Sequence, residues 1–214
     1  MKFQTFVKRA VDIFFDKKEA KVISRRIKRG RSATSASEIE DLFAKCVASA
    51  IPKEYKLLID YPISYKLPPK MNSHTIFPDV AIVKKDELVG VIEFKIDLGY
   101  LNEEWSQKNK SIYDELKIAK QATYKNNVGS PGSLKKTLKV KKSLKLCVVV
   151  LTDSNDHDKM NRLKTDNKCY VLTTGIHPNS HKTPVEDKKK LVNILVANSK
   201  GWDKFMKYLG KAYK

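Results

Sequence analysis

Two short apolar runs, Val80 to Val83 and Leu88 to Phe94, stand on either side of the charged triplet Lys85-Asp86-Glu87. No other stretch restricts the fold as much. Both runs are rich in β-branched residues, and a polar turn between such runs predicts a β-hairpin. With the turn centred on Asp86, position 79 falls opposite position 93, and residues paired across antiparallel strands project from one face. Asp79 and Glu93 then become neighbours, and Lys95 joins them because alternate residues of a strand share a face. A two-residue turn at Asp86-Glu87 would shift the pairing by one, so the whole cluster rests on this register.

Two carboxylates and an ammonium group on strands of Val, Ile and Phe lose hydration, which is tolerable when charges are paired or hold a metal. Carboxylate oxygens are hard ligands that suit Mg²⁺, an ion usually held by one or two carboxylates plus waters and substrate phosphate. Lys95 adds positive charge where an attacking hydroxide or a phosphorane requires it. The chemistry this suits is phosphodiester hydrolysis. Pro78-Asp79 followed by Glu93-Phe94-Lys95 resembles the PD-(D/E)xK signature of restriction endonucleases and DNA-repair nucleases, without substitution at its three positions. The Glu-x-Lys half recurs at Glu19, Glu54, Glu115 and Glu186, but only Glu93 lies inside an apolar strand, and Pro78-Asp79 is the only Pro-Asp in the chain. The plainer reading of the same residues is a surface hairpin with solvated charges.

The resemblance implies an α/β fold, a restriction-endonuclease-like core with a central mixed β-sheet flanked by helices, over about residues 35 to 175. It implies that Asp79 and Glu93 hold one or two Mg²⁺ ions, and that Lys95 positions the hydroxide or stabilises the phosphorane. It further implies a Glu on the helix before the hairpin that approaches the metal. Glu38 is the candidate, since it borders Leu42 on the packed side while Glu40 points further round; acidic residues in a first helical turn also answer to the helix dipole. The activity implied is that of a DNA endonuclease on double-stranded DNA, of type II restriction character. A homodimer follows by analogy, because a symmetric double-strand cut is simplest with two sites. The rivals are a repair or recombination nuclease that reads DNA structure, and a nucleic-acid-binding module without catalysis.

Charge points to the same class of partner. Lys and Arg number 43 against 24 Asp and Glu, a net charge of +19 that favours a polyanion, although charge alone does not separate DNA from RNA or an anionic membrane. No apolar run approaches transmembrane length and no signal peptide is evident, so a cytoplasmic location without membrane insertion is expected. Cys46, Cys147 and Cys169 are odd in number and embedded in apolar runs, as buried thiols are. The 214 residues suit one domain, with a basic N-terminal helix and arm at 1–34.

Along the chain, Phe3, Phe6, Val7, Ala10, Val11 and Phe14 stripe a first helix. Arg25, Arg26, Lys28, Arg29 and Arg31 form a basic arm that either contacts phosphates or is simply solvated. Ser37 begins a second helix, capped by Ser35 or Ser37, with Ile39, Leu42, Phe43, Cys46, Val47 and Ala50 inward and Pro52 at its end. Leu57 to Tyr65 reads as a strand bent at Pro62. Asn102 to Lys125 reads as a long helix whose Gln121 and Tyr124 are similar to the Q-x-x-x-Y element of some relatives, one residue short. Asp97 is either a further ligand or a turn residue. Residues 126 to 143 read as a Gly- and Lys-rich, DNA-facing loop, Leu144 to Leu151 as a buried central strand, and Cys169 to Thr173 as a shorter one. Asp153, Asp156 and Asp158 read as turn and cap residues, and His177 and His181 as loop residues without zinc. A capping box at Thr183 to Glu186 precedes Leu191 to Ala197, which suits helix or strand, and Trp202, Phe205, Met206, Leu209 and Tyr213 stripe a terminal helix.

Overall fold

The computed structural model describes residues 1–16, 27–29, 35–69, 72–96, 98, 104–125, 134–152, 157–173, 188–197 and 199–214. In chain order the elements are α1 (Phe3–Asp16), β1 (Ile27–Arg29), α2 (Ser35–Ala50), β2 (Tyr55–Ile59), β3 (Ile63–Leu67), β4 (Asn72–Ile76), β5 (Val80–Lys84) and β6 (Glu87–Lys95). They continue with α3 (Trp105–Ala119), β7 (Gln121–Lys125), β8 (Lys135–Thr152), α4 (His157–Asp166), β9 (Cys169–Thr173), α5 (Lys188–Ala197) and α6 (Lys200–Ala212). The strands form one mixed sheet in the order β1-β2-β5-β6-β8-β7-β3-β4, with β9 also paired to β8. An α/β architecture with helices flanking a mixed sheet is therefore present.

The sheet is strongly curled. Only Asp60, Tyr61 and Pro62 separate β2 from β3, a link that reaches at most about 14 Å when extended. In a flat sheet the two strands, five positions apart in the order, would be about 24 Å apart. The bend lies in β8, where Leu88 of β6 faces Val140 but Gly90 already faces Lys145, so β8 carries extra residues at that point. Its first half pairs with β7 and its second half with β9.

Curling divides the core into layers. On one face, Phe3, Phe6 and Val7 of α1, Ile39, Leu42 and Phe43 of α2, and Trp202, Phe205 and Leu209 of α6 pack against Val80, Ile82, Ile92 and Phe94. Phe43 stacks on Phe94 with ring centroids 4.3 Å apart. On the other face, Tyr113 and Leu116 of α3 close over Leu58, Ile63, Tyr65, Ala81, Val83 and Val91. Leu98, Val148, Val150 and two residues of α4, Met160 and Leu163, complete that side. Burying a large apolar side chain contributes roughly 1.5–3 kcal/mol, which is why the stripes of α1, α2 and α6 dock although no helix is long.

Several sequence expectations are corrected. The strand expected over 57–65 is two strands that separate where Asp60 takes a left-handed φ of 55°, and β3 pairs with β4 and β7 rather than extending β2. The helix expected to run to Lys125 stops at Ala119 because Lys120 adopts φ 57°, an αL ending. Gln121 and Tyr124 therefore sit on β7, not on a helix. The second half of the expected 126–143 loop is strand β8, and residues 126–133 lie outside the described residues. Helix α2 begins at Ser35, and Lys28 and Arg29 of the expected arm lie in β1, paired in parallel with β2. Leu191–Ala197 is helical. Arg25, Arg26, Arg31, Asp97, Asp153, Asp156, His177, His181, Thr183 to Glu186 and the side chain of Phe14 lie outside the described residues.

Candidate active site

Asp79 is the last residue before β5, and Glu93 and Lys95 lie at the far end of β6. The hairpin brings them together. Lys84 faces Glu87 across a turn in which Lys85 takes φ 54°. Near this turn the register is one residue away from the one centred on Asp86. Val89 is then the extra residue of a bulge, after which Ile82 faces Gly90, Ala81 faces Val91 and Val80 faces Ile92. The bulge restores the register that sets position 79 beside position 93. Val80, Ile82, Ile92 and Phe94 fill the α2 face, so Asp79, Glu93 and Lys95 project toward α3.

Lys95 joins the two carboxylates. Its Nζ lies 2.7 Å from Oδ2 of Asp79 and 3.2 Å from Oε2 of Glu93. Oδ2 of Asp79 also accepts from the backbone N–H of Phe94 at 2.8 Å. Upstream, the N–H of Asp60 donates to the Pro78 carbonyl at 3.0 Å, which pins the chain just before Asp79. Both carboxylic residues are buried, Asp79 with 8% and Glu93 with 6% of its surface exposed. Burial, with the nearby Asp79 charge, raises the Glu93 carboxyl far above its ordinary range, and Lys95 and Tyr113 only partly oppose this. Burial alone would lower Lys95, but the two carboxylates overcome it and hold the ammonium group above its usual value.

Helix α3 supplies a second wall that the sequence reading missed. The Tyr113 hydroxyl donates to Oε1 of Glu93 at 2.5 Å, and the Trp105 ring lies 5.4 Å from Lys95 Nζ, a cation–π contact. Desolvation and the Glu93 charge keep the Tyr113 hydroxyl protonated, well above its normal pKa. Trp105, Asn109 and Tyr113 recur every four residues, so Asn109 sits on the same stripe between the two contacts. Asn109 is buried, and its Nδ2 has no hydrogen-bond partner. A period of four within a helix whose polar residues are numerous was the available signal; the buried Tyr and Asn carried no motif.

The remaining candidates fall elsewhere. Glu38 is buried on α2 and Glu40 half-buried, in line with Glu38 as the inward residue of the pair. The apolar stripe of α2 covers the opposite sheet face from Glu93, and Oε1 of Glu38 is buried without a hydrogen-bond partner. His74 stacks on Tyr65 and lies 3.9 Å from Glu115, away from the Lys95 cluster. The cysteines are free thiols, Cys46 and Cys147 fully buried and Cys169 partly.

Among the described residues no group of three or more His, Cys, Asp or Glu side chains could hold a metal ion. Asp79 and Glu93 offer two carboxylates, hard oxygen donors that suit a hydrated Mg²⁺. No described helix is long and apolar enough to cross a membrane. Basic residues gather on the outer face of the curled sheet. Lys135 and Lys139 of β8, Lys125 of β7 and Lys66 of β3 point outward with Ser, Thr and Gln, and these three strands carry no Asp or Glu. No protein-family model matches this chain, and neither does any curated protein or solved structure.

Proposed function

We propose that this chain is a metal-dependent endonuclease of the PD-(D/E)xK type that hydrolyses phosphodiester bonds in double-stranded DNA, acting as a homodimeric type II restriction enzyme. The observation that carries the reading is Lys95 Nζ within hydrogen-bond distance of both Asp79 and Glu93 on one buried sheet face. The run α2, β2, β5, β6, α3, β8 supports it. Within this run, β2, β5 and β6 pair antiparallel in sequence, and α3 leads to β8, which lies parallel to β6. With β3, β4 and β7 standing outside it, this helix, three-strand, helix, strand arrangement supports the reading of a restriction-endonuclease-like core.

Asp79 and Glu93 are the residues to hold Mg²⁺. When bound, the ion lowers the pKa of a coordinated water and offsets charge on the phosphate. Burial and the neighbouring Asp79 charge raise Glu93, and a divalent cation would offset both. Tyr113 fixes one Glu93 oxygen and leaves the other toward Lys95 and Asp79. Lys95 is placed to orient a hydroxide or stabilise the phosphorane. Trp105 limits water around its ammonium group. The unpartnered Nδ2 of Asn109 is a donor for a non-bridging phosphate oxygen.

The test is digestion of mixed-sequence plasmid and phage DNA with and without Mg²⁺, beside Asp79→Ala and Lys95→Ala. Discrete bands that require the metal and vanish in both variants are expected. A metal-dependent smear would instead favour a repair or recombination nuclease. Salt-sensitive binding without cutting of DNA or RNA in any protein would leave a binding module.

A further inference from the structure

Halfway along β8, one of its edges has no strand neighbour. Pairing with β7 stops at Lys139 and pairing with β9 starts at Val148, so among the described strands none covers that edge at Leu144, Lys145 and Leu146. A cavity of about 360 Å³ opens there, within the size range of small-ligand sites. Four lysines line it: Lys110 and Lys117 from α3, Lys145 from β8, and Lys168 just before β9. Its one lining carboxylate, Asp114, already pairs with Lys117 at 2.9 Å. The cavity is therefore strongly cationic.

Further features favour an anionic ligand with a hydroxyl. Burial and repulsion from Lys141 and Lys168 lower the pKa of Lys145, whose ammonium group donates to the Ala212 carbonyl. An unpaired strand edge also presents backbone N–H groups. Asn167, only 8% exposed, lines the same cavity. Its Nδ2 donates to Ser106 Oγ at 3.0 Å, while its Oδ1 is buried without a partner. A bare phosphate offers that acceptor nothing; an alcohol O–H satisfies it.

We infer that this cavity binds a phosphate ester bearing a nearby hydroxyl, the chemistry of a ribose phosphate, with the lysines on the phosphate and Asn167 accepting from the hydroxyl. The site uses the Lys110, Asp114 and Lys117 stripe of α3, whereas Trp105 and Tyr113 contact Lys95 and Glu93. It is thus separate from the proposed active site and stands without it. A free nucleotide or a polynucleotide terminus carries the same groups.

Isothermal titration of the full chain with ribose 5-phosphate and with inorganic phosphate tests this. One-to-one binding is expected, about tenfold or more tighter for the ribose ester, because only it satisfies both the lysines and Asn167. Lys110→Glu with Lys168→Glu, both at exposed positions, should weaken it by about tenfold or more without changing thermal unfolding. Lys135→Glu with Lys139→Glu, on the outer sheet face, and Asp79→Asn should bind as the unaltered chain does. An oligonucleotide that competes with ribose 5-phosphate would identify a polynucleotide terminus as the natural source, and one that does not compete would identify a free ester; either supports the site. Equal affinity for the two phosphates, equal loss in both lysine pairs, or no binding at millimolar ester would overturn it.

Discussion

At the residue scale, Glu93 is the group with least freedom. One of its oxygens meets Tyr113, the other Lys95, and both are shut away from water. Tyr113→Phe keeps the ring but leaves a buried Glu93 carboxyl oxygen without its donor, which should cost about 1–3 kcal/mol in urea unfolding at neutral pH. Glu93 also makes stability depend on pH. Its folded-state pKa lies above the unfolded value, at about 8, so the neutral form's contribution is complete below the ordinary carboxylate range and is lost as pH rises through about 8. Glu93→Gln should remove that decline in the metal-free protein, so that the variant matches the unaltered chain near pH 4 and exceeds it near pH 9. Equal slopes in both proteins would show that the Glu93 carboxyl ionises at its usual value.

At the element scale, two glycines of α6 make a contrast. A Cβ at Gly201 would come within 1.6 Å of the Val171 carbonyl oxygen in β9, whereas one at Gly210 would meet nothing within 4 Å. Gly201→Ala should push the start of α6 off the sheet and destabilise by about 1–3 kcal/mol. Gly210→Ala should stabilise by about 0.5–1 kcal/mol, since only the backbone entropy of a helical glycine changes. Thermal unfolding of the two variants measures both signs. The hairpin was legible at this scale because its apolar runs are long and flank one charged turn, and β5 and β6 match them closely. Helix α3 was overextended because Ala122 and Tyr124 continue its apolar spacing; the break at Lys120 is a backbone conformation that no side chain announces.

For the whole molecule, charge and enclosure give two expectations. A net charge of +19 should make the logarithm of the duplex binding constant fall linearly with the logarithm of salt concentration, by a slope of about 0.9 for each phosphate neutralised. Filter binding at several salt concentrations measures it, and a flat dependence would mean that the lysines do not meet phosphate. Enclosure raises the thiols of Cys46 to about 12 and Cys169 to about 11, mainly by desolvation, and raises Cys147 further. Alkylation at pH 8 should therefore be slow for all three until denaturant is added. Above the usual thiol pKa the unfolded chain ionises first, so these groups should destabilise the fold increasingly as the solution becomes alkaline.

The sequence by itself determined the hairpin, the buried stripes of α1, α2 and α6, and the apolar half of β8. Those features are periodic and local, and period-two or four-residue spacing states directly which side chains share a face. Only the tertiary structure decided that β3 crosses to the far side of a curled sheet, that Tyr113 of α3 closes over Glu93, and that β8 has an open, lysine-lined edge. Each of these depends on residues distant in the chain meeting through the bend in β8, and the extra residues that produce that bend look like any other lysine-rich stretch of the sequence.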